Sequence, residues 1–198
     1  ASSNPSYKPL GPPRHGMDQL FAPWRIEWVT RDADDVDGCP FCLLTDREDD
    51  RESRIVARSD HAFVILNNYP YNPGHAMVVP YRHGGDYGAL DDAELLDHAR
   101  LKARTLDALA AAFDPDGYNT GLNLGGQAAG GSIDDHLHTH VVPRWAGDTN
   151  FMAVTADTTV IVEAIEDSYD RLHEAFAAQD GTTVPGEDRA VVVPGAGR

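Results

Sequence analysis

An α+β fold, a mainly antiparallel sheet with helices packed on one side, is what this chain of 198 residues predicts. Three observations carry that expectation. Short apolar or alternating runs recur between turn residues, as in a sheet built largely of hairpins. Two longer segments repeat their apolar residues at helical spacing. The hydrophobic fraction is 41%, ordinary for a globular chain, and no apolar run approaches the length that spans a bilayer.

Residues 1–16, "ASSNPSYKPLGPPRHG", are rich in Pro, Ser and Gly and read as a flexible arm. One catalytic domain is expected over 17–179, since the chain is long enough for one substantial core and shows no internal repeat. The strand candidates are "RIVARS", "AFVILN", "HAMVVP", "YNTGLNLG", the histidine-rich run that follows it, and "NFMAVT". Between the third and fourth, "LDDAELLDHARLKARTLDALAAAF" predicts a helix. Asp91 and Glu94 are spaced as a capping box, and Leu96, Ala99, Ala103, Leu106, Ala110 and Phe113 form its expected inner stripe. A second helix is predicted over about 159–178, with Ile161, Ile165, Tyr169, Leu172 and Phe176 on one stripe. The tail, 180–198, has Gly and Pro near both ends and is expected to be peripheral.

The net charge is −16, and Lys8 and Lys102 are the only lysines. Such self-repulsion argues against nucleic acid and anionic membranes as partners. It fits a salt-rich, halophilic cytoplasm, where screening shortens the reach of like charges. A cytoplasmic location also makes a disulfide between Cys39 and Cys42 unlikely as a structural feature. In "CPFC" these two thiols have the spacing of half a tetrahedral zinc site, which two further ligands would complete.

The run "DDHLHTHVVPRW", residues 134–145, places His136, His138 and His140 at alternate positions. Thr139, Val141 and Val142 favour a strand, and Pro143 terminates it, so all three imidazoles should project from one face. Same-face neighbours on a strand are about 6.6 Å apart, which lets a ligand held over His138 reach the adjacent histidines. A neutral imidazole has a nitrogen free to attack phosphorus, dividing one displacement into two through a covalent intermediate. His140 is placed to hydrogen-bond phosphoryl oxygens. Upstream, "NLGGQAAGGS" offers backbone N–H groups and the Ser132 hydroxyl to a phosphate. His15, His61, His98 and His173 read as surface residues, and His75 fits a supporting role or a satisfied core position equally well.

With these residues the chain resembles the histidine triad (HIT) superfamily. The resemblance rests on "HLHTHVV", with Thr139 a mild departure, and on "CPFC", "HAFVILNNYPYNPGHAMVVPYRH" and "GLNLGGQAAGGS" in the family's order. Within the superfamily, "YPYNPGH" and "VVPRWAGDTNF" are most similar to the bacterial diadenosine tetraphosphate phosphorylase branch. The resemblance implies a homodimer that hydrolyses or transfers at the α-phosphate of a nucleotide through a nucleotidyl-histidine. Position by position, it implies His138 as nucleophile and His140 as its phosphate-contacting partner. It implies Asn67 at the ribose, Asn123, Gly131 and Ser132 at the substrate, and His75 behind the triad. It further implies one structural Zn2+ per chain held by Cys39, Cys42, His83 and His136. The loop departs from the pattern: "GGS" stands four residues before His136 rather than three, and Asp134 and Asp135 intervene. Their charge opposes a phosphate unless it is directed away. Phosphoramidase, zinc metallohydrolase and non-catalytic nucleotide-binding readings stay open at this point. Three imidazoles in a straight row converge poorly on one metal, which disfavours the second.

Overall fold

The computed structural model describes residues 38–125, 129, 133, 135–148 and 163–195. A short helix α1 (Pro40–Thr45) precedes strands β1 (Ile55–Arg58), β2 (Ala62–Leu66) and β3 (Ala76–Pro80). Then come the long helix α2 (Asp92–Phe113), β4 (Gly117–Gly121), β5 (Thr139–Arg144), helix α3 (Ile165–Ala177) and β6 (Val191–Val192). The sheet order is β4-β5-β3-β2-β1-β6. Every pairing is antiparallel except β1 with β6. The sequence run "NFMAVT" lies outside the described residues, as do Ile161 and the predicted start of α3.

Both faces of the central strands are buried, which is why "AFVIL" and "AMVVP" read as unbroken apolar runs. Ala62, Val64, Leu66, Ala76, Val78 and Val141 face α2 and α3, where they meet Leu101, Leu109, Phe113, Tyr169, Leu172 and Phe176. Phe63, Ile65, Met77 and Val79 face the other way, toward Phe41 of α1. An irregularity in register between Ile55 and Ala57 turns Val56 and Ala57 toward the same helix-covered side. The loop before β3 is tied to the end of α2 by glycine. Gly74 has φ +72°, and a Cβ there would lie 2.8 Å from the ring of Phe113.

Helix α2 forms with its capping box intact, Asp91 accepting from the Glu94 amide and Glu94 accepting from the Asp91 amide. Its inner face, however, is not the expected stripe. Leu96 is 45% exposed, and Ala99, Ala103 and Ala110 face solvent. The buried positions are Glu94, Asp97, His98, Leu101, Thr105, Ala108, Leu109 and Phe113. The polar members tolerate burial because each has a partner. Asp97 accepts from Ser59 Oγ at 2.6 Å and from the His61 amide at 2.9 Å. Thr105 Oγ1 donates to the Leu101 carbonyl at 2.8 Å. His98, expected at the surface, is buried with its Nε2 3.1 Å from Thr139 Oγ1, and burial pushes its pKa down.

The tail also departs from expectation. Ala190, Val191 and Val193 are buried, and β6 closes the sheet as a parallel edge beside β1. Asp50, 1% exposed, holds this segment by accepting from the Ala190 amide at 2.9 Å while Arg58 Nη2 lies 2.6 Å from its other oxygen. Among the described residues, no helix is long and apolar enough to cross a membrane.

Candidate active site

Strand β5 lies between β3 and β4, with Met77 and Gly121 both paired to His140. His140 therefore shares the Met77 face, opposite the helices, while Thr139 and Val141 point back to α2 and the core. His140 alone of the three triad histidines lies within the strand, because regular pairing begins at Thr139. His136 and His138 occupy the extended approach to it, held where the Leu137 amide donates to the Gly84 carbonyl at 2.9 Å.

Each imidazole's partners fix its tautomer. The His136 carbonyl, which can only accept, is 2.9 Å from His138 Nδ1. His138 thus carries its proton on Nδ1 and keeps a lone pair on Nε2. The Tyr71 amide donates to His75 Nδ1 at 3.1 Å, so a neutral His75 donates from Nε2 to His140 Nδ1 at 3.0 Å. The His140 proton is then on Nε2. The Tyr71 ring stacks on His75 with centroids 4.7 Å apart. The rings of His138 and His140 are 5.0 Å apart and nearly perpendicular. A lone pair and an N–H donor therefore stand side by side.

His136 is excluded from that work. Its Nε2–H donates to the Pro80 carbonyl at 2.8 Å, and its Nδ1 faces Cys39 Sγ at 3.2 Å and Cys42 Sγ at 3.7 Å. His83 Nδ1 lies 3.6 Å from Cys42 Sγ. The ligand atoms of Cys39, Cys42, His83 and His136 all fall within 4.8 Å of one another. Zinc bonds of about 2.0–2.3 Å in a tetrahedron imply edges of roughly 3.3–3.8 Å, near which the 3.2, 3.6 and 3.7 Å separations fall, so this donor set could hold such an ion. Burial pushes the His136 pKa down and so keeps the ring in the neutral form that a metal requires. Asp135 Oδ2 is 3.8 Å from His83 Nε2, which directs this carboxylate toward the cysteine-histidine cluster. His138 and His140 belong to no such cluster among the described residues.

The structure gives the other candidates unequal positions. Asn67 is half-buried beyond β2, its amide donating to the His75 carbonyl and its Oδ1 accepting from the Tyr69 amide, both at 2.9 Å. Asn123 is exposed two residues past Gly121, at the His140 end of β4. Gly131, Ser132 and Asp134 lie outside the described residues. Tyr71 and Asn72 escaped the sequence reading, and Arg144, which reads from sequence as a surface cation past the strand, is instead the last residue of β5. Tyr71 holds His75 by amide and ring. Asn72 Nδ2 donates to the Pro143 carbonyl at 2.8 Å and to Asp148 Oδ2 at 2.9 Å, tying the His75 loop to the end of β5. Arg144 grips Asp148 with Nη2 at 2.8 Å from Oδ1, and this guanidinium holds the carboxyl well below its usual pKa. The signal for Tyr71 and Asn72 was their place in "YPYNPGH"; for the Arg144–Asp148 pair it was only an i,i+4 spacing.

An imidazole lone pair beside a second imidazole suits attack on an electrophilic centre such as phosphorus. The chain belongs to the HIT domain family, whose model matches residues 48–147. It is 36% identical over 173 residues to an AP-4-A phosphorylase of Mycobacterium tuberculosis, spanning 84% of this chain and 88% of that relative. It is 31% identical over 106 residues to an adenosine 5'-monophosphoramidase of Saccharomyces cerevisiae, spanning 54% of this chain and 62% of the relative. Among solved structures, a zinc-bound histidine triad family protein of Mycobacterium smegmatis aligns with a TM-score of 0.56 at 26% identity. That alignment covers 71% of this chain and 94% of the other.

Proposed function

We propose that this chain transfers a nucleotidyl group from a dinucleoside polyphosphate of the diadenosine tetraphosphate type, through a covalent intermediate on His138. The observation that carries the reading is the 2.9 Å contact of His138 Nδ1 with the His136 carbonyl, which directs the Nδ1 proton there and leaves Nε2 as a nucleophile 5.0 Å, centroid to centroid, from the His140 ring. In the first step Nε2 bonds to the α-phosphorus and the bond from that phosphorus to the bridging oxygen breaks, releasing the remaining polyphosphate. In the second, an oxygen of phosphate or water takes the nucleotidyl group and the P–N bond breaks. His140 steadies the charge on the phosphoryl oxygens. Asn67 is assigned to the ribose, and Asn123, Gly131 and Ser132 to the remaining substrate contacts.

Phosphate is the favoured acceptor because the relative with high coverage is an AP-4-A phosphorylase. The phosphoramidase relative supports a second reading, in which an amine is the leaving group. Incubation with diadenosine tetraphosphate, with and without phosphate, separates them. ADP and ATP formed only with phosphate is the expected result. AMP and ATP without phosphate indicates a hydrolase, faster turnover of adenosine 5'-phosphoramidate indicates the second reading, and tight binding with no turnover of either sinks both.

Zinc at Cys39, Cys42, His83 and His136 is assigned a structural role, cross-linking α1, the end of β3 and the approach to β5 with no position left for water. We also assign a two-fold dimer. The outward stripe of Leu96, Ala99, Ala103 and Ala110 on α2 and the edge of β4, which has no further strand beside it among the described residues, are the surfaces that support it. A monomeric mass by light scattering in high salt at micromolar protein would remove that assignment. The acidity and free thiols support a cytoplasmic, halophilic setting.

A further inference from the structure

Phe41 lies between the two cysteines of "CPFC", and its ring is 3% exposed. The ring meets two of the triad histidines. Its centroid is 5.4 Å from that of His136 and 5.3 Å from that of His138, and its far side meets Phe63 at 6.5 Å. The triad is thus not a bare row of imidazoles: an aromatic ring from the cysteine loop contacts both of its first two members. Ile55, Ile65 and Ala190 belong to the same apolar cluster and back the ring.

A hydrogen bond from Nδ1 fixes one atom of an imidazole; it does not fix the ring plane. The His138 ring is contacted by Phe41, inclined at 48°, and by His140, inclined at 78°. Phe41 has no polar atom, so it constrains by shape and keeps water from the ring face without competing for the Nδ1 proton. Its backbone belongs to the segment whose thiols face His136 and His83. Anything that loosens that segment therefore releases the wall against which His138 rests.

We propose that Phe41 is a positioning residue that couples occupancy of the cysteine-histidine site to the pose of the nucleophile. The proposal rests on the reading of His138 as that nucleophile. It supplies a route from metal to reaction that is distinct from the backbone path through His136. Displacing a reacting atom by about 1 Å costs on the order of 100-fold in rate, so the ring need move only slightly to matter.

The test uses the full chain, zinc-loaded and zinc-stripped, as wild type, Phe41→Ala and Phe41→Leu. Four quantities are read: zinc content, AMP affinity by calorimetry, the rate of nucleotidyl-His138 formation, and the ring nitrogen shifts of His138. In loaded Phe41→Ala, zinc content should hold and AMP affinity should change less than about 3-fold, while adduct formation slows on the order of 100-fold. The His138 nitrogen shifts should move from those of one fixed ring pose to an average over several, with Nδ1–H still donating to the His136 carbonyl. Zinc-stripped wild type should show the same averaging, and stripping Phe41→Ala should add little more, because both act through one contact. Phe41→Leu, which keeps bulk, should lie between, and it carries the measurement if Phe41→Ala does not fold. Unchanged His138 nitrogens in either variant, or effects of stripping and substitution that simply add, overturn the proposal. If wild type forms no adduct but the nitrogens respond as described, the covalent reading fails and the coupling stands.

Discussion

On the helix side of the sheet, Val78, Val141, Leu101, Leu109 and Leu172 meet as hydrocarbon, and the few polar groups there are paired with one another. On the opposite side, the neighbouring residues of the same strands form a smaller apolar cluster around Phe41, whose ring also meets His136 and His138, with His140 beside His138. Strand β5 serves both, sending Thr139 and Val141 one way and His140 the other. The first side tolerates exchange among apolar shapes, since it needs only volume and dryness. The second depends on which nitrogen of each ring bears a proton, so it tolerates almost nothing. Substitutions on the two sides should therefore separate stability from turnover.

The largest effect is expected at His138. His138→Ala should lower turnover by roughly 1,000-fold or more while the melting temperature stays near that of wild type and nucleotide still binds. Retained turnover of a tenth or better would end the covalent reading. Next, Cys39→Ser or Cys42→Ser should lower zinc content and melting temperature together, with turnover per folded molecule falling as it does in zinc-stripped wild type. If instead a chelator abolished activity at once and left the melting curve unmoved, the ion would be catalytic and the division between the sides would shift.

Leu101→Ala probes the opposite side. The residue is 1% exposed, so its truncation should cost about 2–5 kcal/mol of stability while turnover per folded molecule stays unchanged. Urea denaturation and active-site titration read the two quantities separately. A drop in turnover per folded molecule would mean that the faces are mechanically coupled.

The smallest effect concerns His98. Burial lowers its pKa in the fold, so between that value and about 6.5 the unfolded chain binds a proton that the folded chain refuses. Stability is therefore full above this range and falls as the pH drops through it. Thermal melts between pH 7.5 and 5.5 should show that decline, and His98→Asn should flatten it; an identical slope in the variant would assign the decline to other groups.

The strands and the triad were legible because their signals are local, alternation and turn residues between apolar runs; Pro143, expected to end the histidine strand, instead lies within β5 opposite Tyr118, and β5 runs on to Arg144. The capping box of α2 was legible for the same reason. Its buried face was not. Hydropathy favoured Leu96 and a row of alanines, whereas the fold turns inward a face that includes Asp97, His98 and Thr105, each satisfied by a partner that sequence spacing does not reveal. His98 was missed through the same error of phase, since it stands three residues before the buried Leu101. The tail was missed because β6 has only two residues and its support, Asp50, is remote in sequence. In the candidate site the cysteine-histidine set could be named from motifs. The ring of Phe41 and the grip of Tyr71 on His75 are tertiary facts, visible only once the loops are placed.

The parallel edge strand sets an order on how the molecule is made. Ala57 pairs with Val191, so the outer edge of β1 has no strand beside it until the ribosome has delivered almost everything in between. Through that interval Asp50 awaits the Ala190 amide, and a row of unpaired backbone groups on β1 is open to any other extended chain nearby. The hazard is limited by the brevity of β6, since only a short length of edge must be guarded. Closure of the sheet is then a late event in the life of the nascent chain, slow by virtue of the distance it spans rather than the number of bonds it forms.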